Sequence, residues 1–197
     1  ASFLRYNYVP TPFSIYKNIF KLNPGTILEI NISEEEFRKN ALHQPEPYWS
    51  IDKLFANSNR KQYRYQDLNV VESLEELLID SVTKQMISDV PLGVFLSGGI
   101  DSTTITALMQ SISSRPIDTF TIGFNEDKYN EADHAREIAS YLGTNHHELY
   151  ISEKDALNII PGLSSIYSEP FADSSQIPTA IVSGLAKEKV TVSLSGD

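Results

Sequence analysis

VPLGVFLSGGIDSTT, from Val90 to Thr104, is the stretch that decides the fold. Leu92, Val94, Phe95 and Leu96 form a short apolar run of buried-strand length; it stops at Ser97-Gly98-Gly99, and a helix restarts at Asp101. Two glycines let the backbone turn tightly and come close to a ligand, while the free N–H groups of the following helix point at the same spot. That spot suits an anion. The hydroxyls of Ser97, Ser102 and Thr103 add donors. The carboxylate of Asp101 would repel a phosphate unless a divalent cation lay between them, and a hard oxygen ligand beside a phosphate cradle suggests Mg²⁺. An ordinary strand-to-helix turn with a serine cap accounts for Ser-Gly-Gly alone, but less easily for the six-residue string SGGIDS. The Walker A pattern GxxxxGK[ST] is absent, and no lysine lies in the turn.

Working outward, Asn69 and Glu72 give a capping signal, and Leu74, Leu77, Leu78, Val82 and Met86 recur at helical spacing over 70–88. After the glycine turn, Ile105, Leu108, Met109 and Ile112 mark a second helix, whose stripe reads as core. A strand is expected over 117–124 (IDTFTIGF). A third helix, capped by Asn130, carries Ala135, Ile138, Ala139 and Leu142 on one face and stops at Gly143. His146–Ile151 reads as a strand, Ser152 with Asp155 opens a helix through Ile160, 169–178 is irregular, 179–187 is helical, and Val190–Leu194 is a last strand. Strand and helix alternate from 90 onward, which argues a doubly wound parallel sheet with right-handed crossovers.

Ligands of such sheets sit beyond the carboxyl ends of the strands. Four segments are expected to converge there: SGGIDS, the end of FTIGF, the turn before the histidine strand, and Ser195-Gly196-Asp197. His146 and His147 are adjacent on a strand, so they face opposite ways and do not share a metal. Asp173, Ser174 and Ser175 read equally as substrate contacts or as a helix cap.

The amino-terminal part is of another kind. Residues 1–32 begin in a strand-like aromatic run and carry Tyr6, Tyr8, Pro10, Pro12, Phe13, Tyr16 and Phe20, then the turn Asn23-Pro24-Gly25 and a strand over Thr26–Ile30. From 33 to 68 the pattern breaks down into a linker, with Trp49 as its anchor and Glu34–Glu36 as a solvated charge run.

At 197 residues the chain has room for one good core and part of another domain. A formal charge of -10 argues against a nucleic-acid surface. The absence of cysteine excludes disulfides, a thiolate nucleophile and zinc–thiolate sites. No apolar run approaches the ~18 residues of a membrane helix, and no signal peptide opens the chain, so a soluble cytoplasmic protein is expected.

With these residues placed, the chain resembles the glutamine-dependent asparagine synthetases. The resemblance rests on SDVPLGVFLSGGIDS (88–102), TFTIGF (119–124), YNEADHAREIASYLGTNHHEL (129–149), EPFADSSQIPT (169–179) and VSLSGD (192–197), in family order, with YVPTPFSIYKNIFKLNPG (8–25) similar to the end of the family's glutaminase domain. SGGxDS is the pyrophosphate loop of the ATP pyrophosphatase superfamily, so the resemblance implies an adenine nucleotide alpha hydrolase-like fold. It also implies a division into a glutaminase edge (1–32), a linker (33–68) and the first part of a truncated synthetase domain (69–197), the chain being cut at both ends. The implied reaction takes ATP, Mg²⁺ and aspartate to a β-aspartyl-AMP intermediate and pyrophosphate, after which ammonia from glutamine displaces AMP.

By match of motif, Leu96 and Ile122 would flank the adenosine. Ser97, Gly98, Gly99 and Ser102 would hold the pyrophosphate, and Asp101 would bind Mg²⁺. Ser195 and Gly196 would close the nucleotide pocket, and Asp197 matches the acidic catalytic position around the adenylated intermediate. The family's nucleophilic cysteine, its second metal carboxylate and its catalytic lysine have no counterpart within the chain, nor has an arginine that some members carry before the proline of 169–179. The fragment alone is therefore expected to be inactive. Expected partners are small-molecule substrates, with a homodimer left open and no nucleic acid or membrane. Two alternatives stand beside this reading: an amidotransferase acting on another carboxylate or a sugar, and a non-catalytic nucleotide-binding module.

Overall fold

The computed structural model describes residues 1–30, 44–57, 69–124 and 130–196. It separates into two units, Ala1–Arg64 with Ser168–Asp173, and Tyr65–Tyr167 with Ser174–Asp197.

The second unit is built on four parallel strands, β3 (Leu92–Phe95), β4 (Asp118–Phe124), β5 (Asn145–Ile151) and β6 (Val192–Leu194), in the order β5-β4-β3-β6. The register sets Phe95 beside Phe120, Val94 beside Leu194, and Thr119 beside His146. Because successive side chains of a strand alternate between faces, this register sorts the sheet into two apolar layers. On one face Val94 packs with Val82 of α3 (Asn69–Gln85) and Met109 of α4 (Ile100–Ile112), while Leu96 packs with Ala135 and Ala139 of α5 (Ala132–Leu142). On the other, Phe95, Phe120 and Ile122 pack with Val182, Leu185 and Ala186 of α8 (Gln176–Lys187). Helices cover both faces, so the sheet is doubly wound as expected. Between β5 and α8 lie α6 (Glu153–Ile159), a 3₁₀ turn (Ile160–Gly162) and α7 (Leu163–Ile166).

Local signals explain most of these boundaries. Ser152 and Asp155 form a reciprocal capping box at the start of α6. Gly143 ends α5 in the left-handed conformation, φ 71°. Asn130 accepts the Ala132 N–H through Oδ1, so it steers the start of α5 from two residues upstream. Two expectations need correction. The α8 helix begins at Gln176, ahead of 179, because Pro178 falls in its first turn, where a missing N–H costs nothing. The stripe of α3 is narrower than its spacing implies: Val82 is buried and Leu78 and Met86 are partly buried, but Leu74 and Leu77 are exposed.

In the first unit, the opening residues read as strand-like form a short helix, α1 (Ser2–Tyr6), closed by Asn7 at φ 65°. The strand after Asn23-Pro24-Gly25 is limited to β1 (Thr26–Ile27), which pairs antiparallel with β2 (Glu46–Pro47). The region expected as linker thus carries β2 and a helix, α2 (Ile51–Asn57). Trp49 is tied by its backbone N–H to Gly25 C=O at 3.2 Å, and its side chain stays about half exposed. Lys21 Nζ donates to Val9 C=O at 2.7 Å and pairs with Glu169 at 2.8 Å, and the Ala172 N–H donates to Asn7 C=O at 2.7 Å. Glu34–Glu36 lie outside the described residues.

Candidate functional site

The site sits at the carboxyl edge of the sheet, where β3 runs into the glycine turn. Gly98 adopts φ 82°, a conformation L side chains rarely take, and a Cβ there would lie 3.3 Å from both Ala135 N and His134 Cβ. The turn is therefore walled by the first turn of α5. Gly99 is the N-cap of α4 and supplies no side-chain cap. The first-turn N–H groups of a helix have no intrahelical partner, so this helix start presents donors at its mouth, with the positive end of the helix dipole behind them.

The serines divide the work. Ser102 is buried; its Oγ accepts the Ser97 N–H at 3.2 Å, donates to Gly99 C=O at 3.2 Å and lies 2.9 Å from Ser97 Oγ. It is a staple that holds the loop's shape. Ser97 is exposed, and its Oγ also accepts the Gly99 N–H at 3.3 Å. Thr103 Oγ1 is buried without a hydrogen-bond partner among the described residues. Asp101 is exposed in the first turn of α4.

The second Ser-Gly turn arrives from β6. A Cβ on Gly196 would stand 2.5 Å from Ser102 N and 2.8 Å from Asp101 C and Ser102 Cα, all backbone atoms. Only glycine lets the end of β6 lie on the first turn of α4 this closely, so SGGIDS and Ser195-Gly196 form one surface. Asp197 lies outside the described residues.

Leu96 and Ile122 are not brought together by their side chains. Leu96 is buried against α5, with its N–H donating to Phe120 C=O and its C=O accepting from Thr121 Oγ1, whereas Ile122 belongs to the α8 face. The expected place of the turn before the histidine strand needs correction. In a parallel sheet Thr144 precedes β5 at the amino edge, and Asn145 N–H donates to Ile117 C=O just before β4 begins, so this turn lies at the opposite end from SGGIDS. Asp173 lines a cleft in the first unit with Tyr6, Tyr8 and Phe171, while Ser175 is the N-cap of α8 by position and makes no side-chain cap bond.

The histidines face opposite ways, as expected. His147 stacks on Phe120 and lies 2.9 Å from Asp118 Oδ1, whereas His146 Nδ1 lies 2.8 Å from Thr119 Oγ1. Burial pushes the His146 imidazole below its ordinary value, which keeps it neutral. Its Nε2 approaches Glu148 Oε1 at 3.3 Å without an aligned hydrogen bond. Glu148 is held below the usual carboxylate range chiefly by its hydrogen bonds from Arg136. Among the described residues no cluster of three or more His, Cys, Asp or Glu could hold a metal ion.

The role of α5 as a wall of the loop was not foreseen from the sequence, although a signal existed. Ala132, Ala135 and Ala139 are fully or almost fully buried, and small residues at i, i+3 and i+7 let a helix approach closely.

No described helix is long and apolar enough to cross a membrane. The family model for asparagine synthase matches residues 73–197. A putative glutamine-hydrolysing asparagine synthetase 2 of Methanocaldococcus jannaschii is 39% identical over 191 residues, covering 96% of this chain and 34% of that protein. Asparagine synthetase 1 of Bacillus subtilis, also glutamine-hydrolysing, is 31% identical over 196 residues, 99% of this chain and 28% of that protein. The chain thus spans about a third of the length of these relatives. Among solved structures, an NH3-dependent NAD synthetase from Campylobacter jejuni aligns with TM-score 0.44 and 12% identity over 64% of this chain and 56% of that one. With the family's model matched across the unit that carries SGGIDS, the chain belongs to the asparagine synthase family.

Proposed function

We propose that the second unit binds ATP by its phosphates at the joined SGGIDS and Ser195-Gly196 turns, and that it takes part in converting aspartate to asparagine through β-aspartyl-AMP. The observation that carries this reading is the contact of Gly196 with the Asp101–Ser102 backbone, which sets two Ser-Gly turns around an uncapped helix start. In the reaction, an aspartate β-carboxylate oxygen forms a bond to the α-phosphorus as the bond from that phosphorus to the bridging oxygen breaks, and pyrophosphate leaves with the electron pair. Ammonia then bonds to the acyl carbon, the acyl–phosphate C–O bond breaks, AMP departs, and the nitrogen sheds a proton.

Negative charge grows on the pyrophosphate in the first step, and fixed donors aimed there cost no reorganisation. The first-turn N–H groups of α4 and Ser97 supply them, Ser102 and Gly98 fix their geometry, and Gly196 closes the surface. Asp101 stands exposed at the mouth of the cradle, in the first turn of α4. This suits Mg²⁺, which is held by one or two carboxylates with phosphate oxygens and water rather than by a protein cage. When bound there, Mg²⁺ neutralises part of the charge on the phosphates. Asp197 follows the Ser-Gly turn and is proposed as the acidic group at the adenylated intermediate. The first unit is read as the edge of a glutaminase domain, with glutamine the source of ammonia.

Calorimetry of pyrophosphate and of ATP with and without Mg²⁺ tests the site. Binding that saturates, needs Mg²⁺ for ATP and is weakened by Gly98→Ala is expected; absence of pyrophosphate binding by the wild-type chain would overturn the reading.

A further inference from the structure

The glycine loop does not stand on α4 alone. A Cβ added at Gly98 would stand only 3.3 Å from Ala135 N and His134 Cβ, so the loop lies close against the first turn of α5 and its shape is coupled to where α5 starts. A side-chain fork far from the loop in sequence ties that start to the sheet, beside the Asn130 bond and the packing of Ala135 on Leu96. Arg136, on α5, donates through Nε to Glu148 Oε1 at 2.7 Å and through one terminal nitrogen to Glu148 Oε2 at 2.5 Å and to the Tyr150 hydroxyl at 2.7 Å. Its other terminal nitrogen donates to Asp133 Oδ1 at 2.9 Å. Glu148 and Tyr150 belong to β5, so the fork ties the first turns of α5 to the sheet in a bidentate geometry that allows little sliding.

Packing beneath the fork points the same way. A Cβ on Gly123 would lie 2.7 Å from the Tyr150 ring and 3.0 Å from Ala132 Cβ, so the ring fills the gap between β4 and the amino end of α5. An arginine–carboxylate pair with Arg136 half exposed adds little stability. Its fixed geometry is what the loop can use.

From this we infer that Arg136 and Glu148, with Tyr150, are positioning residues for the anion-holding loop: they set the depth of α5 and through it the conformation of Gly98. The inference rests on the reading of SGGIDS as a phosphate cradle. It concerns residues that touch no part of the nucleotide, and it predicts selectivity. Loss of the fork should weaken the phosphate end of a ligand and leave the nucleoside end almost untouched.

The test measures binding of pyrophosphate and of adenosine to the wild-type chain and to Arg136→Lys, Arg136→Met, Glu148→Gln and Gly98→Ala by calorimetry, with melting curves to follow the fold. Arg136→Lys keeps the charge and loses the fork. It should melt close to wild type yet bind pyrophosphate roughly tenfold more weakly, as expected when a hydrogen bond to a charged group is misplaced, with adenosine affinity unchanged. Arg136→Met combined with Gly98→Ala should lose less than the two single losses together, because both act on the same contact. If Arg136→Lys binds pyrophosphate as wild type does, if both ligands weaken alike, or if the Gly98 and Arg136 effects are independent, the inference is overturned. If wild type itself binds no pyrophosphate, the proposed function fails first, and the inference falls with it. Should Arg136→Met fail to fold, Arg136→Lys and Glu148→Gln still decide the matter.

Discussion

Gly196→Ala is the sharpest perturbation of the proposed site, because the new methyl group meets only backbone. Its Cβ would lie 2.5 Å from Ser102 N, where ordinary contact begins at 3.4 Å, so the turn after β6 and the first turn of α4 must separate by about 0.9 Å. No flexible side chain can absorb this. Overpacking of this kind costs about 1–3 kcal/mol, and the stiffer unfolded chain returns about 0.4–1 kcal/mol. The net loss of about 1–2 kcal/mol should lower the melting temperature by roughly 3–8 °C for a unit of this size. A displacement near 1 Å moves apart donors that act on the same phosphates, so Mg-ATP affinity should fall along with stability. Differential scanning calorimetry and titration with Mg-ATP measure both in one preparation. If the Gly196→Ala chain melted and bound Mg-ATP like wild type, the two Ser-Gly turns would not form one surface, and the argument for the site would collapse.

Other outcomes follow from individual side chains. Asp101→Asn should weaken ATP binding strongly in the presence of Mg²⁺ and little in its absence, since a carboxylate facing phosphate helps only through a cation; equal losses in the two titrations would remove Asp101 from the metal role. Glu148 has a depressed folded value, so its contribution to stability is complete well above 4.5, its ordinary value, and is lost as the pH falls from there through the folded value. Glu148→Gln should therefore flatten the melting-temperature profile below about pH 4.5 and leave intact the fall that begins near 6.5, the ordinary value of the buried, neutral His146. Parallel acid limbs in the two proteins would contradict this. Phe120→Ala, at the fully buried centre of the sheet, should cost about 3–5 kcal/mol, read as a shift in the urea midpoint; a cost under about 1 kcal/mol, no more than a volume-conserving core swap, would mean that the α8 layer does not pack on this ring.

Where a feature is local in the chain, the sequence makes it legible. The capping box at Ser152 and Asp155, the left-handed stop at Gly143 and the strand–glycine–helix at 92–101 each depend on residues within a few positions, and each forms where the pattern places it. The failures have the opposite character. The strand after Gly25 is cut to two residues by a partner, Glu46–Pro47, some twenty residues on. Leu74 and Leu77 satisfy a helical stripe, yet the contacts of α3 fall on Val82 and Met86, because amphipathic spacing says which face is apolar and not how much of it is covered. In the site, the glycines and serines were legible, whereas the distinction between Ser102 as a staple and Ser97 as an exposed donor lies in hydrogen bonds that a motif does not encode. Arg136, Glu148 and Tyr150 were invisible for the same reason: their partnership spans two elements and exists only after α5 docks on β5.

The pairing of Lys21 with Glu169 has a consequence for the order in which the molecule can be completed. A ribosome delivers Lys21 long before Glu169, and the Asn7 carbonyl long before the Ala172 amide that it accepts. The first unit is therefore discontinuous in the gene: synthesis of the strands β3 to β5 intervenes before its last six residues, Ser168–Asp173, emerge. Until then Lys21 must stay solvated or satisfied by Val9 alone. A gene cut after residue 64 would yield an amino-terminal piece lacking those six residues, in which Lys21 has no Glu169 to pair with and the Asn7 carbonyl no Ala172 amide to accept.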